Sequence, residues 1–160
     1  MSPRADEDRA GFIRAWTALA PPSLLPELRL HLAGPVTPLW EATEKTLQEK
    51  ALPPPYWAFA WPGGQAIARH VLDHPRLVQG KRVLDFAAGS GVVGIAAAKA
   101  GAKRITATEL DPLALVAIRL NALANGVAVD AIEASQDLNS GRPLERAAGA
   151  TAYPPGGGPL

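Results

Sequence analysis

Cysteine is absent from the 160 residues, which excludes disulfides, thiolate catalysis and Cys-ligated zinc together. An excess of one charge is lacking too. Lys and Arg number 16 against 15 Asp and Glu, a net of +1, so neither nucleic acid nor an anionic membrane is advertised as a partner. No uninterrupted apolar run approaches the roughly 20 residues that a membrane span needs. Histidine is scarce. His70 and His74 stand one helical turn apart, but no Glu follows His70 and no third ligand appears, so no metal site is expected. Residues 1–10 are charged rather than apolar, no secretory signal is legible in them, and a cytoplasmic location is expected. What is present is ordinary for a globular domain: 48% apolar and 19% charged residues, in a length that can bury one core. The 15 Gly and 16 Pro are less ordinary, because they cluster at Pro21-Pro22, at Pro53-Pro54-Pro55 and in residues 151–160.

Apolar residues at three- and four-residue steps (Phe12, Ile13, Trp16, Leu19, Ala20) predict a helix over 6–20, ended by Pro21 and Pro22. Leu28, Leu30 and Leu32 alternate with Arg29 and His31, which predicts a short half-buried strand over 27–33. A second helix is expected over 37–49, capped by Thr37 with Pro38 at its first position; Glu41 and Glu44 belong to its wet face. A third is expected over 65–72. From Lys81 the rhythm becomes βαβ, with strands over 82–86, 104–108 and 127–134. The helix over 92–99 stops at Gly101. The next opens on Asp111 and Pro112 and ends at Gly126. Its buried stripe is expected at Leu113, Val116, Ala117, Leu120 and Ala124, with Asn121 and Asn125 on the polar side. The three strands should be parallel, ordered third, second, first, with right-handed crossovers and the first strand at an edge. Asn139 to Leu160 has no periodicity and reads as a disordered tail. The expected units are an N-terminal helix–strand–helix extension over 1–55, a partial Rossmann-like core over 56–138 and the tail over 139–160.

The chemistry concentrates in Asp85-Phe86-Ala87-Ala88-Gly89-Ser90-Gly91-Val92-Val93-Gly94, followed by Glu109. A glycine turn between a strand and a helix lets a ligand approach the backbone, and side chains at Gly89 or Gly91 would occupy that space. A carboxylate at the end of the next strand can accept both hydroxyl hydrogens of a ribose. Gly89, Gly91 and Gly94 also satisfy the dinucleotide fingerprint, so an NAD-linked oxidoreductase is the rival reading. Two features count against it. Asp85 and three further residues separate the apolar strand from the first glycine, and a pyrophosphate gains nothing from a carboxylate there. S-adenosylmethionine, with its sulfonium and ammonium groups, does gain. Asp85 has the strongest functional claim, since a carboxylate ending a buried strand is costly unless a partner offsets it. Asp111 reads as a helix cap. Trp57 and Trp61 taken alone read as core aromatics.

The segments Pro54-Pro55-Tyr56-Trp57-Ala58-Phe59-Ala60-Trp61-Pro62-Gly63-Gly64-Gln65, Gly80-Lys81-Arg82-Val83-Leu84-Asp85-Phe86-Ala87-Ala88-Gly89-Ser90-Gly91, Glu109-Leu110-Asp111-Pro112 and Leu120-Asn121-Ala122 together are more selective. They resemble class I (Rossmann-like) methyltransferases, specifically the bacterial relatives of the electron transfer flavoprotein β-subunit lysine methyltransferase, close to the ribosomal-protein lysine methyltransferases. The match covers about residues 20–138. The resemblance implies an α/β three-layer fold and methyl transfer from S-adenosylmethionine to a lysine of the flavoprotein β subunit or of a ribosomal protein. It implies that Asp85, Ala87, Gly89 and Gly91 contact the amino-acid part of the cofactor. Glu109 would hold its ribose, Trp61 would lie against it, and Asp137 would reach its adenine. No catalytic base follows. Nothing after Asp137 resembles the fourth strand and acceptor segment that continue the family pattern, so an incomplete, inactive version is expected. A non-catalytic fragment or interaction module is therefore the third reading.

Overall fold

The computed structural model describes residues 3–34 and 54–134. The helix expected over 37–49, Asp137 and the tail over 139–160 lie outside them. The described elements are helix α1 (Pro3–Trp16), strands β1 (Ala18–Ala20) and β2 (Leu30–Leu32), a 3-10 turn (Tyr56–Ala58), α2 (Pro62–Asp73), a second 3-10 turn (Pro75–Leu77), β3 (Arg82–Phe86), α3 (Val92–Lys99), β4 (Arg104–Glu109), α4 (Pro112–Ala124) and β5 (Asp130–Glu133).

The first helix stops at Trp16 rather than continuing to Ala20, and Ala18–Ala20 is instead a strand paired antiparallel with Leu30–Leu32. The reason lies in Pro21. Its ring disfavours helical backbone at Ala20, and the extended segment completes its hydrogen bonds on β2. The extension thus begins helix–strand–strand. β2 is shorter than expected, but its alternation holds: Leu28 and Leu30 are buried and pack with Leu25 against Ala68 of α2 and Ile95 and Ala96 of α3. Helix α2 starts three residues earlier than expected, because Pro62 suits the first helical position.

β3, β4 and β5 form a parallel sheet in the expected order, with Val83 opposite Ile105 and Ala107 opposite Ala131. Two successive right-handed crossovers that step the same way put both helices on one face. Ile105 accordingly packs with Val71 of α2 and Ala97 of α3, and Ala107 and Ala131 pack with Leu115 and Ile118 of α4. Of the three layers expected, the described residues build two. β3 pairs only with β4 among them, and Leu84 and Phe86, on its other face, are 47% and 59% exposed.

The buried stripe of α4 differs from the expected one. Ala114, Leu115, Val116, Ala117, Ile118, Asn121 and Ala122 are buried, Leu113 and Leu120 only in part, and Ala124 is exposed. Two partners account for the wider stripe. α4 packs on the sheet through Leu115 and Ile118, and on α1 and the Trp57 turn through Ala114 and Ala117. Arg119 joins these layers, donating to Asp6 of α1 at 3.2 Å and to the Ala131 carbonyl of β5 at 3.2 Å.

Candidate functional site

The site residues gather at the carboxyl ends of β3 and β4. Three residues of the connection from β3 to α3 adopt left-handed backbone: Ala87 at φ 52°, Gly89 at φ 55° and Gly91 at φ 76°. Glycine takes such angles freely, whereas Ala87 does so at a cost on the order of 1 kcal/mol. The two glycines serve different ends. A Cβ built on Gly89 meets nothing within 4 Å among the described residues, so the backbone there faces open space in the described structure. A Cβ on Gly91 would lie 3.1 Å from Ile118 of α4. Glycine at 91 is therefore required by helix packing, which corrects the expectation that it leaves room for a ligand.

Side chains of neighbouring elements hold the turn. Glu109, the last residue of β4, accepts from the Gly89 amide at 2.7 Å through one oxygen and from the Leu110 amide at 3.1 Å through the other. The Ala88 amide donates to the Thr108 carbonyl at 3.1 Å, and the Gly91 amide to the Ala88 carbonyl at 2.8 Å. Asp85 is buried, and its partner is the Gly94 amide at 2.8 Å. That bond supplies the compensation a buried carboxylate requires. Burial nevertheless pushes the Asp85 carboxyl up to about 6, the Gly94 bond opposing the rise and the nearby Glu109 charge adding to it.

This raised value fixes a pH dependence. An unfolded Asp titrates near 4, so between pH 4 and 6 the folded chain holds a proton that the unfolded chain has released. Stability from this group is complete below pH 4 and is lost as pH rises through 6. Asp85→Asn keeps an oxygen for the Gly94 amide and cannot ionise. Urea unfolding should show the wild type losing on the order of 2 kcal/mol relative to Asp85→Asn between pH 4 and 7. Parallel pH profiles would remove Asp85 as the origin.

Gly94 is itself a contact point. A Cβ there would lie 3.0 Å from Asp85 Oδ2 and 3.0 Å from Ile105 Cγ2. Neither can retreat easily, because the first is hydrogen-bonded and the second sits in the core. Gly94→Ala should cost about 1–3 kcal/mol by overpacking, despite the better helix propensity of alanine. Chemical denaturation measures it, and an unchanged or raised midpoint would contradict the close approach of α3 to β3.

Asp111 caps α4, accepting from the Leu113 amide at 2.8 Å, and its carboxyl too is pushed up by burial. Trp57 is 1% exposed and belongs to the core, but Trp61 is 51% exposed. The Trp61 indole N–H donates to the Tyr56 carbonyl at 3.0 Å, with the Tyr56 and Phe59 rings 6.0 and 5.9 Å away. Trp61 is the N-cap of α2. The first turn of that helix meets the first turn of α3 where Gly64 faces Val92, so Trp61 stands at the same end of the sheet as the glycine turn. The structure thus gathers Trp61, Asp85, Ala87, Gly89, Gly91 and Glu109 at one edge.

Asn121 departs from its expected polar side. It is fully buried, donating to the Ser90 carbonyl at 2.9 Å and accepting from the His31 amide at 2.7 Å. Its spacing from Ala114, Ala117 and Ile118 was the available signal, since i, i+3 and i+7 share a helix face. Asn125 brackets Arg29, accepting from its amide at 3.0 Å and donating to its carbonyl at 2.6 Å.

Residues 69–147 match the family model described as ribosomal protein L11 methyltransferase (PrmA). The electron transfer flavoprotein beta subunit lysine methyltransferase homolog of Caenorhabditis elegans is 45% identical over 105 residues, 66% of this chain and 42% of that protein. The Homo sapiens electron transfer flavoprotein beta subunit lysine methyltransferase is 46% identical over 99 residues, 62% of this chain and 37% of that protein. The ribosomal protein L11 methyltransferase of Aeromonas hydrophila is 56% identical over 54 residues, 34% of this chain and 18% of that protein. The chain thus spans less than half the length of the curated relatives it matches. The stretch that holds the parallel sheet and the glycine turn is thus similar to ribosomal protein L11 methyltransferases and to the electron transfer flavoprotein β-subunit lysine methyltransferases.

Proposed function

We propose that the carboxyl edge of β3 and β4 binds S-adenosylmethionine and that the protein methylates a lysine of another protein, the flavoprotein β subunit or a ribosomal protein. The observation that carries this reading is the Glu109 carboxylate, bonded at 2.7 Å to the amide of Gly89, beside backbone that faces open space. The residues suit a cationic cofactor. Glu109 stands close enough to Asp85 for its charge to oppose the ionisation of Asp85, and a bound positive charge relieves that repulsion, whereas a pyrophosphate would add to it.

In this reading the turn at Asp85, Ala87, Gly89 and Gly91 holds the amino-acid part of the cofactor. Asp85 does so through the backbone it anchors at Gly94. Glu109 holds the ribose hydroxyls, Trp61 covers one side, and Asp137, outside the described residues, reaches the adenine. When bound, the cofactor supplies a methyl group on a sulfonium, already activated for transfer to an amine. What the chain contributes is position: a preorganised turn, a fixed carboxylate and a water-excluding aromatic.

Thermal melts with S-adenosylmethionine, S-adenosylhomocysteine and NAD test the cofactor. The first two should raise the melting temperature with concentration; a rise with NAD alone would favour the oxidoreductase reading. Transfer of radiolabelled methyl to purified flavoprotein β subunit and to ribosomal protein L11 tests the acceptor. Label on one of them assigns the acceptor; label on neither, with a turnover-competent relative as positive control, would overturn the assignment of methyl transfer to this chain.

A further inference from the structure

We propose that Asn121 is a positioning residue that locks the glycine turn into its ligand-receiving shape and ties that shape to the N-terminal β1–β2 hairpin. The proposal rests on the reading that this turn receives the cofactor. Asn121 is 0% exposed, and its single amide is used at both ends. The Nδ2 group donates to the Ser90 carbonyl at 2.9 Å, and Oδ1 accepts from the His31 amide at 2.7 Å. The Ser90 carbonyl and the Gly91 N–H belong to one planar peptide and point in opposite directions. The N–H side is held by the Ala88 carbonyl at 2.8 Å, so this peptide is pinned from both sides. One turn earlier on α4, Ile118 fills the space where a Gly91 side chain would stand. The same helix face therefore sets both the position of Gly91 and the rotation of the peptide before it.

The second end of the amide reaches a different part of the chain. His31 pairs with Leu19 across the hairpin, and its ring Nδ1 lies 3.1 Å from the hydroxyl of Thr17. Asn125, one turn further along α4, bonds both backbone groups of Arg29. Two asparagines thus fasten β2 to α4 as a neighbouring strand would, and only Asn121 also reaches the turn. The hairpin lies 58 positions before Gly89 in the sequence, counting from His31, yet it shares a buried hydrogen-bond partner with the residue that follows Gly89. A buried amide with both ends used leaves two unsatisfied groups when it is removed.

Hydrogen exchange of the full chain, read at the Gly89 and Gly91 amides and at His31, tests this without requiring any ligand. Asn121→Leu removes both bonds at similar volume. It should speed exchange about tenfold or more at Gly91 and at His31 beyond what its lowered global stability explains. Asn121→Asp keeps an acceptor for His31 but places an oxygen against the Ser90 carbonyl, so Gly91 should exchange faster while His31 stays near wild type. Val116→Ala, a buried residue of the same helix whose apolar cluster contains neither Ser90 nor His31 nor any residue of the turn, calibrates plain destabilisation. Turn amides that track global stability equally in all three variants would overturn the proposal. Calorimetry adds a second reading. Wild type that binds S-adenosylmethionine, with Asn121→Asp about tenfold weaker, supports the clamp; equal affinities overturn its role in binding. Wild type that does not bind defeats the cofactor reading, while the exchange data still decide whether Asn121 holds the turn.

Discussion

Trp57→Ala is expected to destabilise the chain by about 3–5 kcal/mol, the usual cost of removing a buried aromatic. Trp57 is the largest fully buried side chain among the described residues, and it packs with Ile13 of α1 and with Ala114 and Ala117 of α4. Those small residues leave room for an indole and cannot expand to fill the hole it would leave. Trp57→Phe should behave differently. Among the described residues the buried indole N–H has no partner, so replacing it removes an unsatisfied donor worth about 1–3 kcal/mol, offsetting much of the lost packing. A net change under about 1.5 kcal/mol is expected for it. Urea unfolding distinguishes the two; a tolerated alanine would mean that the 3-10 turn docks on α4 without depending on the ring. The consequence reaches the site, because the Tyr56–Ala58 turn carries the carbonyl that holds the Trp61 indole.

Glu109→Ala should weaken S-adenosylmethionine by about 1.5–3 kcal/mol, the range for hydrogen bonds to a charged group, or roughly ten- to a hundredfold in affinity. Two losses combine. The ribose acceptor of the proposed reading disappears, and the Gly89 amide loses the 2.7 Å bond that keeps the turn against β4. Glu109→Gln retains one oxygen for Gly89 and should lose less. Isothermal calorimetry at matched pH reads both variants. Wild-type affinity in Glu109→Ala would move the ribose contact to another residue, and equal losses in Ala and Gln would make the full charge the decisive feature.

The core elements were legible because their signals are local. β3 and α3 fall at the expected residues and β4 gains only Glu109, since glycine turns punctuate them and the apolar runs between are short. The cap of α4 at Asp111 and Pro112 was equally plain, because a cap bonds residues two positions away. The readings that changed depend on partners distant in sequence. Residues 18–20 carry helical periodicity and still form a strand, because β2 offers them a ladder. Leu120 and Ala124 continue an apolar stripe in the sequence, but only the packing of α1 and the sheet decides which side of α4 faces inward.

By itself the sequence determined the parallel order of the three strands and the glycine turn, because chirality and backbone sterics act over a few residues and leave recognisable patterns. Tertiary structure alone decided what each member of the turn is for. Gly89 faces open space while Gly91 faces Ile118, a distinction no fingerprint contains. Asp85 spends one oxygen on Gly94, and Asn121, polar by type, is the most deeply enclosed polar side chain described. A polar group can be buried wherever two partners meet it. Those partners, Ser90 and His31, lie 31 and 90 residues away in the chain and come together only when the sheet, α4 and the hairpin are assembled.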